Sequence, residues 1–460
     1  MAQFLRKRAS FPPIVYILLA LMLIFGIPKC QPTLQRLIQG NYPLGDRISL
    51  GEEILIASEV TPEKQAGVEA FARGDYKPAS QHFQASLQQR RNDSETVIYY
   101  TNTKVKLNGD RRPLRIAVSV PIRSNQNIAQ EILRGVAQAQ DEINSTGGIN
   151  GRGLEVEIAN DDNNPDIVRQ IATTFVRDSE ILGVIGHNAS NATLAAAPIY
   201  QRGKLVMVTP TSFANTLSGF GNYIFRTAPN IQSMADALAE YVVKTAKKPN
   251  VAVCYDSQAP DNVSFKDEFV ASLSALGGKL IPTVCDLSAP TFNPNTAVEA
   301  AIDKGAEGLL VTPHIDRISQ AIALTHANQG KLPLFSSPSL YTIQTLQQGK
   351  EDINGLVLPV PWHPQANPSS LFPVNARRLW GGDVSWRTAT SYDATYAVIT
   401  GLQQSQTRDR LQQALSSPGF DAPGASEQVK FLPTGDRDST PILVQVRPDA
   451  INSYTFVPLS

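Results

Sequence analysis

The chain has 460 residues, 42% hydrophobic and 18% charged, an ordinary globular composition with material for two or three domains of ~150 residues. Lys plus Arg and Asp plus Glu each total 41, so no net field draws the protein to nucleic acid or to an anionic surface. The three cysteines, Cys30, Cys254 and Cys285, exclude a disulfide scaffold and match no zinc-ligand spacing.

Arg6, Lys7 and Arg8 precede an uncharged run, FPPIVYILLALMLIFGIP, at 11–28. A basic flank before such a run reads as a secretory signal or an uncleaved anchor; the run is near the lower length limit for a span, roughly 17 residues. No small-x-small cleavage site follows, and Lys29 before Cys30 departs from a lipobox. The expectation is a retained membrane anchor over 1–29, its basic end cytoplasmic and the remainder periplasmic, with cleaved secretion as the rival. Residues 30–60, with Pro, Gly and mixed charge, read as a linker. Over 61–109, Val68 and Phe71 share one helical face and Ala79, Phe83 and Leu87 another, while Gly74-Asp75 and Asn92-Asp93-Ser94 break the run into three helices. The Gly-Asp-Tyr turn and the Ala–Phe ladder resemble a tetratricopeptide repeat. One unit and a fraction needs a neighbour to bury its faces, so a helical spacer or oligomerisation stub is expected rather than a peptide-binding solenoid.

From Leu114 strands alternate with helices. LRIAVSVP is a near-continuous apolar strand, and the helix after it carries Ile132, Val136, Ala139 and Ile143 on one stripe before Gly147-Gly148 stops it. LEVEIANDD is the next strand. Asp162 or Asn163 is the expected cap of the following helix, with a cation at Asp161-Asp162 as the alternative. The stretch 184–217, VIGHNASNATLAAAPIYQRGKLVMVTPTSFANTL, reads as strand, Gly-His loop, helix, strand and Thr-Pro-Thr-Ser loop. Two parallel strands there deliver polar loops to the carboxyl edge of a sheet, where ligands sit in open α/β folds. Ser190 and Asn191 are placed at the helix N-cap, whose free N–H groups suit a carboxylate. This predicts a pocket for a small anionic or zwitterionic molecule.

After Lys247-Lys248-Pro249 the alternation restarts with NVAVCYDSQ and runs through KLIPTVCDL, GLLVT and PLFSSP. Two βαβ series imply two doubly wound lobes. Cys254 and Cys285 each sit in a candidate strand; they pair if those strands are neighbours, and buried free thiols are the expectation taken. In the tail, GLVLPVPWHP returns to strand, SYDATYAVITGLQQ is a helix, and QVKFLPTGDRDSTPILVQV with SYTFVPL reads as closing antiparallel strands. Such crossings leave a cleft that closes by hinge motion.

No G-x-S-x-G elbow, P-loop, His-Glu-x-x-His helix or Gly-rich dinucleotide turn is present in the sequence. His82, His187, His314, His326 and His363 are scattered. The pattern argues for binding rather than catalysis, with no cofactor and no metal.

DEINSTGGINGRGLEV, IANDDNNP, VIGHNASNATLAAAPIY, LVMVTPTS and YIFRTAPN, in that order, carry a family resemblance. Residues 113–458 resemble the type I periplasmic substrate-binding proteins of ABC transporters, in the branched-chain amino acid (leucine/isoleucine/valine-binding) branch. LWGGDVSWRTATSYDAT resembles that family's late lobe-1 helix, and the anchor with a repeat-like segment resembles a cyanobacterial form. The resemblance implies lobe 1 at about 113–230 and 358–430, lobe 2 at about 231–357 and 431–458, a small-molecule ligand (amino acid or small carboxylate) and an ABC permease as partner. It also implies Ser190 on the ligand's carboxylate, with Thr211 and Ser212 around it. The sequence departs from the family where Phe213 replaces a second threonine, Pro338 stands in place of an acid, and Pro260-Asp261 replaces a tyrosine. A buried ammonium without a carboxylate costs several kcal/mol. Either the ligand lacks that group, or Asp261 supplies the charge, or binding has been lost. Trp362 and Trp386 are candidate aromatic covers, a packed core position being the equal alternative. The main alternative to transport is an anchored ligand sensor or scaffold on the same fold.

Overall fold

The computed structural model describes residues 43–58, 60–109, 112–449 and 453–459. The chain divides into two units, Met1–Asp46 and Arg47–Ser460. In the first, the described residues are 43–46, which open a 3-10 turn; the run 11–28 and the anchor expected there lie outside the described residues. Among the described residues no helix is long and apolar enough to cross a membrane.

Two sheets organise the second unit. The first contains β1 (Ile48–Ser49), β2 (Leu114–Val120), β3 (Leu154–Asn160), β4 (Ile181–Ile185), β5 (Val206–Thr209) and β6 (Ile224–Arg226), in the order β1-β3-β2-β4-β5-β6. Its pairs are parallel except β1 with β3. The second contains β7 (Asn250–Tyr255), β8 (Lys279–Ile281), β9 (Gly308–Thr312), β10 (Leu334–Ser336), β11 (Val357–Val360), β12 (Ile442–Pro448) and β13 (Tyr454–Pro458), ordered β13-β12-β11-β10-β9-β7-β8. It is parallel from β8 to β11 and antiparallel at β12 and β13. This is the expected α/β architecture. The apolar runs form these strands because helices cover both faces. In β2, LRIAVSV, every residue but Arg115 is buried. The helix Gln126–Ser145 buries Ile132, Val136, Ala139 and Ile143, the stripe that the 3.6-residue period marks.

Several expectations are corrected. Residues 47–58 are not a linker: β1 extends the first sheet, and Leu55 and Ile56 are buried. The Glu95 carboxylate accepts the amides of Leu55 at 2.8 Å and Ile56 at 3.2 Å, and Lys64 balances its charge at 2.6 Å. Composition cannot register a tertiary partner forty residues away. The three helices Pro62–Ala72, Tyr76–Gln89 and Ser94–Leu107 are not a spacer, because the third packs on Gln126–Ser145 and β3. Asn102 stitches it down, donating to the carbonyls of Leu50 and Val156 and accepting the Val156 amide at 3.0 Å. The first lobe itself is the neighbour those faces required.

The lobe boundaries also move. β11 belongs to the second sheet, so the return to the first lobe follows Val360. Residues 431–437 remain with the first lobe through the Arg226–Asp436 ion pair at 2.6 Å and the Phe225–Phe431 ring contact. Cys254 and Cys285 form a disulfide. The segment after β8 runs beside the end of β7, bridging Tyr255 to Asp286; irregular backbone supplies the adjacency that a strand-by-strand reading misses. The helix Pro165–Arg177 is capped by Asn164, not by Asp162 or Asn163. The helix Ser190–Gly203 has Ala189 at its N-cap, without a side-chain cap, and Ser190 is its first residue.

Candidate functional site

The loop after β4 rests on a buried polar cluster. Asp161, at the end of β3, accepts from Ser119 Oγ at 2.9 Å and from His187 Nδ1 at 2.6 Å. His187 Nε2 lies 3.2 Å from Tyr200 Oη, and its carbonyl accepts the hydroxyls of Thr209 and Thr193. Ser119, Asp161 and His187 are fully buried, and the serine bonds to the aspartate rather than to the imidazole. The cluster therefore holds backbone in place; it is not an accessible nucleophile with its base.

On this support Asn188 and Ala189 meet the loop after β5. Thr211 Oγ1 donates to the Asn188 carbonyl at 2.9 Å. Ser190 Oγ accepts from Ser212 Oγ at 3.1 Å and from the amides of Phe213 at 3.2 Å and Ala214 at 3.3 Å. The hydroxyl expected on a ligand thus knits the two loops together.

Facing these loops are the ends of the second sheet and the start of the helix Trp386–Gln404. A narrow cleft with about 30 Å³ of free volume lies between, lined by Asn188, Thr211, Phe213, Asp261, His314 and Arg387, with Ala189, Ile315, Ser339 and Trp386. Phe213 and Trp386 form an aromatic wall, ring centroids 5.4 Å apart, and the Arg387 guanidinium lies 4.5 Å from the Trp386 ring centroid. Arg387 Nη1 donates across the lobes to the Tyr341 carbonyl at 2.9 Å and, within the first lobe, to Glu131 at 3.3 Å.

The opposite wall carries unmet polar capacity. Asp261 Oδ1 and His314 Nε2 are buried with no partner among the described residues. Burial raises the Asp261 carboxyl above its ordinary range, against the lowering effect of His314. For His314, burial pulls down, but the hydrogen bond to Asp316 and the Asp261 and Asp316 charges outweigh it, so its pKa is raised. Burial lowers the pKa of Arg387 against the effect of Glu131. Among the described residues no His, Cys, Asp and Glu grouping could hold a metal.

Of the residues singled out from sequence, Thr211, Phe213, Asp261 and Trp386 meet at the cleft. Ser190 and Ser212 are buried outside its lining, and half-buried Asn191 is spent on the Ala192 amide at 2.8 Å. Trp362 packs against Phe372, away from this cleft. Asn188, His314, Ser339 and Arg387 were missed. His314 follows the apolar run GLLVT just as His187 follows its own strand, so the same strand-end signal would have found it. Arg387 carries no such mark.

The sequence pattern of the periplasmic binding protein family matches residues 113–449. The chain belongs to that family. Among curated relatives, it is 28% identical over 167 residues to a Leu/Ile/Val-binding protein homolog 1 from Brucella abortus, an alignment covering 36% of this chain and 44% of that one. The chain spans less than half the length of the curated relatives it matches. A leucine binding protein from Thermotoga maritima superposes with a TM-score of 0.66 at 19% identity, over 75% of this chain and 97% of that one. A solute binding protein of an ABC transporter from Rhodopseudomonas palustris, solved with 3,4-dihydroxybenzoic acid, gives 0.63 at 16% identity over 76% and 97%. At these identities the likeness is one of fold, that of the type I periplasmic binding proteins. The family and its structural neighbours are substrate-binding proteins rather than enzymes. The family implies a periplasmic or otherwise extracytoplasmic location, where the Cys254–Cys285 disulfide persists.

Proposed function

We propose that the protein is the solute-binding component of an ABC-type uptake system, taking up an amino acid, branched-chain or related, or another small carboxylate, in a cleft that closes by hinge motion. The observation that carries this reading is the pair of buried, unpartnered atoms, Asp261 Oδ1 and His314 Nε2, across the cleft from Thr211 and Asn188. A zwitterion meets both sides: its ammonium completes Asp261, and its carboxylate takes a hydrogen bond from Arg387 beside Thr211. Asp261 thereby replaces the acid that Pro338 displaces. Phe213 and Trp386 supply an apolar wall for a side chain. A substrate-binding protein of related fold from Desulfitobacterium hafniense, solved with leucine, and the dihydroxybenzoic acid complex support a small carboxylate as the common element.

The partner is an ABC permease, and residues 1–29 hold the protein at the plasma membrane in the manner of the cyanobacterial form. The tetratricopeptide-like helices, fused to the first lobe through Asn102, favour a second role as an anchored sensor that passes lobe closure to a membrane partner. Titration calorimetry with leucine and with 3,4-dihydroxybenzoate tests the binding reading. Ser190→Ala, which strips the acceptor from two buried amides, loosens the loop carrying Thr211 and weakens binding about tenfold; unchanged affinity removes that loop from the site.

A further inference from the structure

Beside the cleft lies a larger cavity, of about 240 Å³, that the proposed function does not use. Its volume approaches the lower end of the range of small-molecule sites, roughly 300–1,000 Å³. Glu131 and Arg134, on one face of Gln126–Ser145, line it from the first lobe together with Val384; Tyr341, Leu346 and Phe456 line it from the second. The Tyr341 and Phe456 rings stack at 4.2 Å, making an aromatic floor. The polar end is asymmetric: of its two carboxylates, Asp383 is paired with Arg377 at 2.9 Å. Glu131 already accepts from Arg387 at 3.3 Å, whereas Arg134 Nε is buried with no partner among the described residues. His363, at the rim, is engaged with the Phe456 carbonyl at 3.1 Å. A guanidinium has only donors to offer, so the missing element is an acceptor, and a carboxylate oxygen supplies one with a charge-assisted bond.

We propose that this cavity is a second ligand site, for an aromatic or aliphatic monocarboxylate whose body lies against Leu346, Val384 and Phe456 and whose carboxylate meets Arg134. Its walls come from both lobes, so it is complete only when they hold this relation. It also touches the cleft through one side chain: Arg387 lines the cleft, and its partners Glu131 and Tyr341 line the cavity. An occupant therefore favours the closed form and tightens binding in the cleft, and the cleft ligand tightens the cavity reciprocally. This coupling rests on the proposed function; the cavity site does not.

The test is equilibrium dialysis of 3-phenylpropionate against the full chain. Saturable one-to-one binding is expected, weakened about tenfold or more by Leu346→Trp, which fills the cavity from a partly exposed position, and by Arg134→Gln, which removes the charge. Asp261→Asn, at the cleft, leaves this saturable event in place, any gain in the cleft appearing as a second, separate one. Circular dichroism verifies the fold of each variant, and Arg134→Gln carries the test if Leu346→Trp does not fold. Absence of saturable binding at millimolar probe overturns the proposal, as does wild-type affinity in a folded cavity variant. Tighter probe binding in Asp261→Asn, with both cavity variants unaffected, would put the probe in the cleft, sinking the second site while leaving the proposed function standing.

Discussion

Replacing Asp261 with asparagine preserves shape and removes one charge, and the sign of its effect identifies the ligand class. Asp261 sits in the first turn of the helix Pro260–Ala275, with one carboxylate oxygen unpartnered. An ammonium brought to about 4 Å gains roughly 4 kcal/mol at an effective dielectric near 20. Desolvation of both charges takes back part of this, leaving about 2–3 kcal/mol, or roughly 30- to 150-fold in Kd. Calorimetry at neutral pH is therefore expected to show Asp261→Asn binding leucine weakly. A ligand without an ammonium gains instead, because its carboxylate no longer shares the cleft with an uncompensated charge. The pH dependence carries a second signature. The Asp261 carboxyl titrates above its ordinary range, so wild-type affinity for an amino acid falls as pH drops through that raised value, while the variant stays flat. A folded Asp261→Asn protein within twofold of wild type for both ligand classes refutes the reasoning.

Reducing or deleting the Cys254–Cys285 disulfide opens a loop of 31 residues, which in the chain-entropy account lowers stability by about 3–4 kcal/mol; denaturant unfolding with and without reductant measures it, and an unchanged midpoint contradicts it. Gly135→Ala puts a Cβ 2.2 Å from the Thr388 carbonyl oxygen of the facing helix, so the helices must part at a cost of about 1–3 kcal/mol; a melting temperature equal to wild type would show the crossing to be looser than described. Burial raises the Glu157 carboxyl to about 7. Because the folded value is the raised one, its contribution is present below the ordinary carboxylate range and is lost as pH rises through about 7. Glu157→Gln is thus expected to raise the melting temperature at pH 8 more than at pH 5, and the reverse order would contradict that sign.

Much of the fold was legible because the signal was local. The run LRIAVSV and the 3.6-residue stripe Ile132, Val136, Ala139, Ile143 are dictated by burial on two faces and on one. Two strand-end loops that the sequence singles out line the same cleft: Thr211 and Phe213 follow an apolar strand, and so does the loop that leads to Asp261. What escaped was non-local. Glu95 fixes residues 55 and 56 by hydrogen bonds that no local window contains. The disulfide joins the end of β7 to irregular backbone rather than to a strand. Ser190 read as a ligand donor because its position matched; the structure commits its hydroxyl to Ser212 and two amides instead. Arg387 follows Trp386 in a helix that is buried along almost its whole length, and only the opposing lobe shows what it bridges.

The central claim is that the two lobes close on one small carboxylate between Thr211 and Asp261. Thermal melting of the protein against amino acids, amides and aromatic carboxylates tests it most directly, since a ligand that binds the native state alone at a hundred times its Kd adds about 2.7 kcal/mol. The account predicts a saturable rise in melting temperature with at least one α-amino acid or small carboxylate. No shift from any compound at millimolar concentration would contradict it.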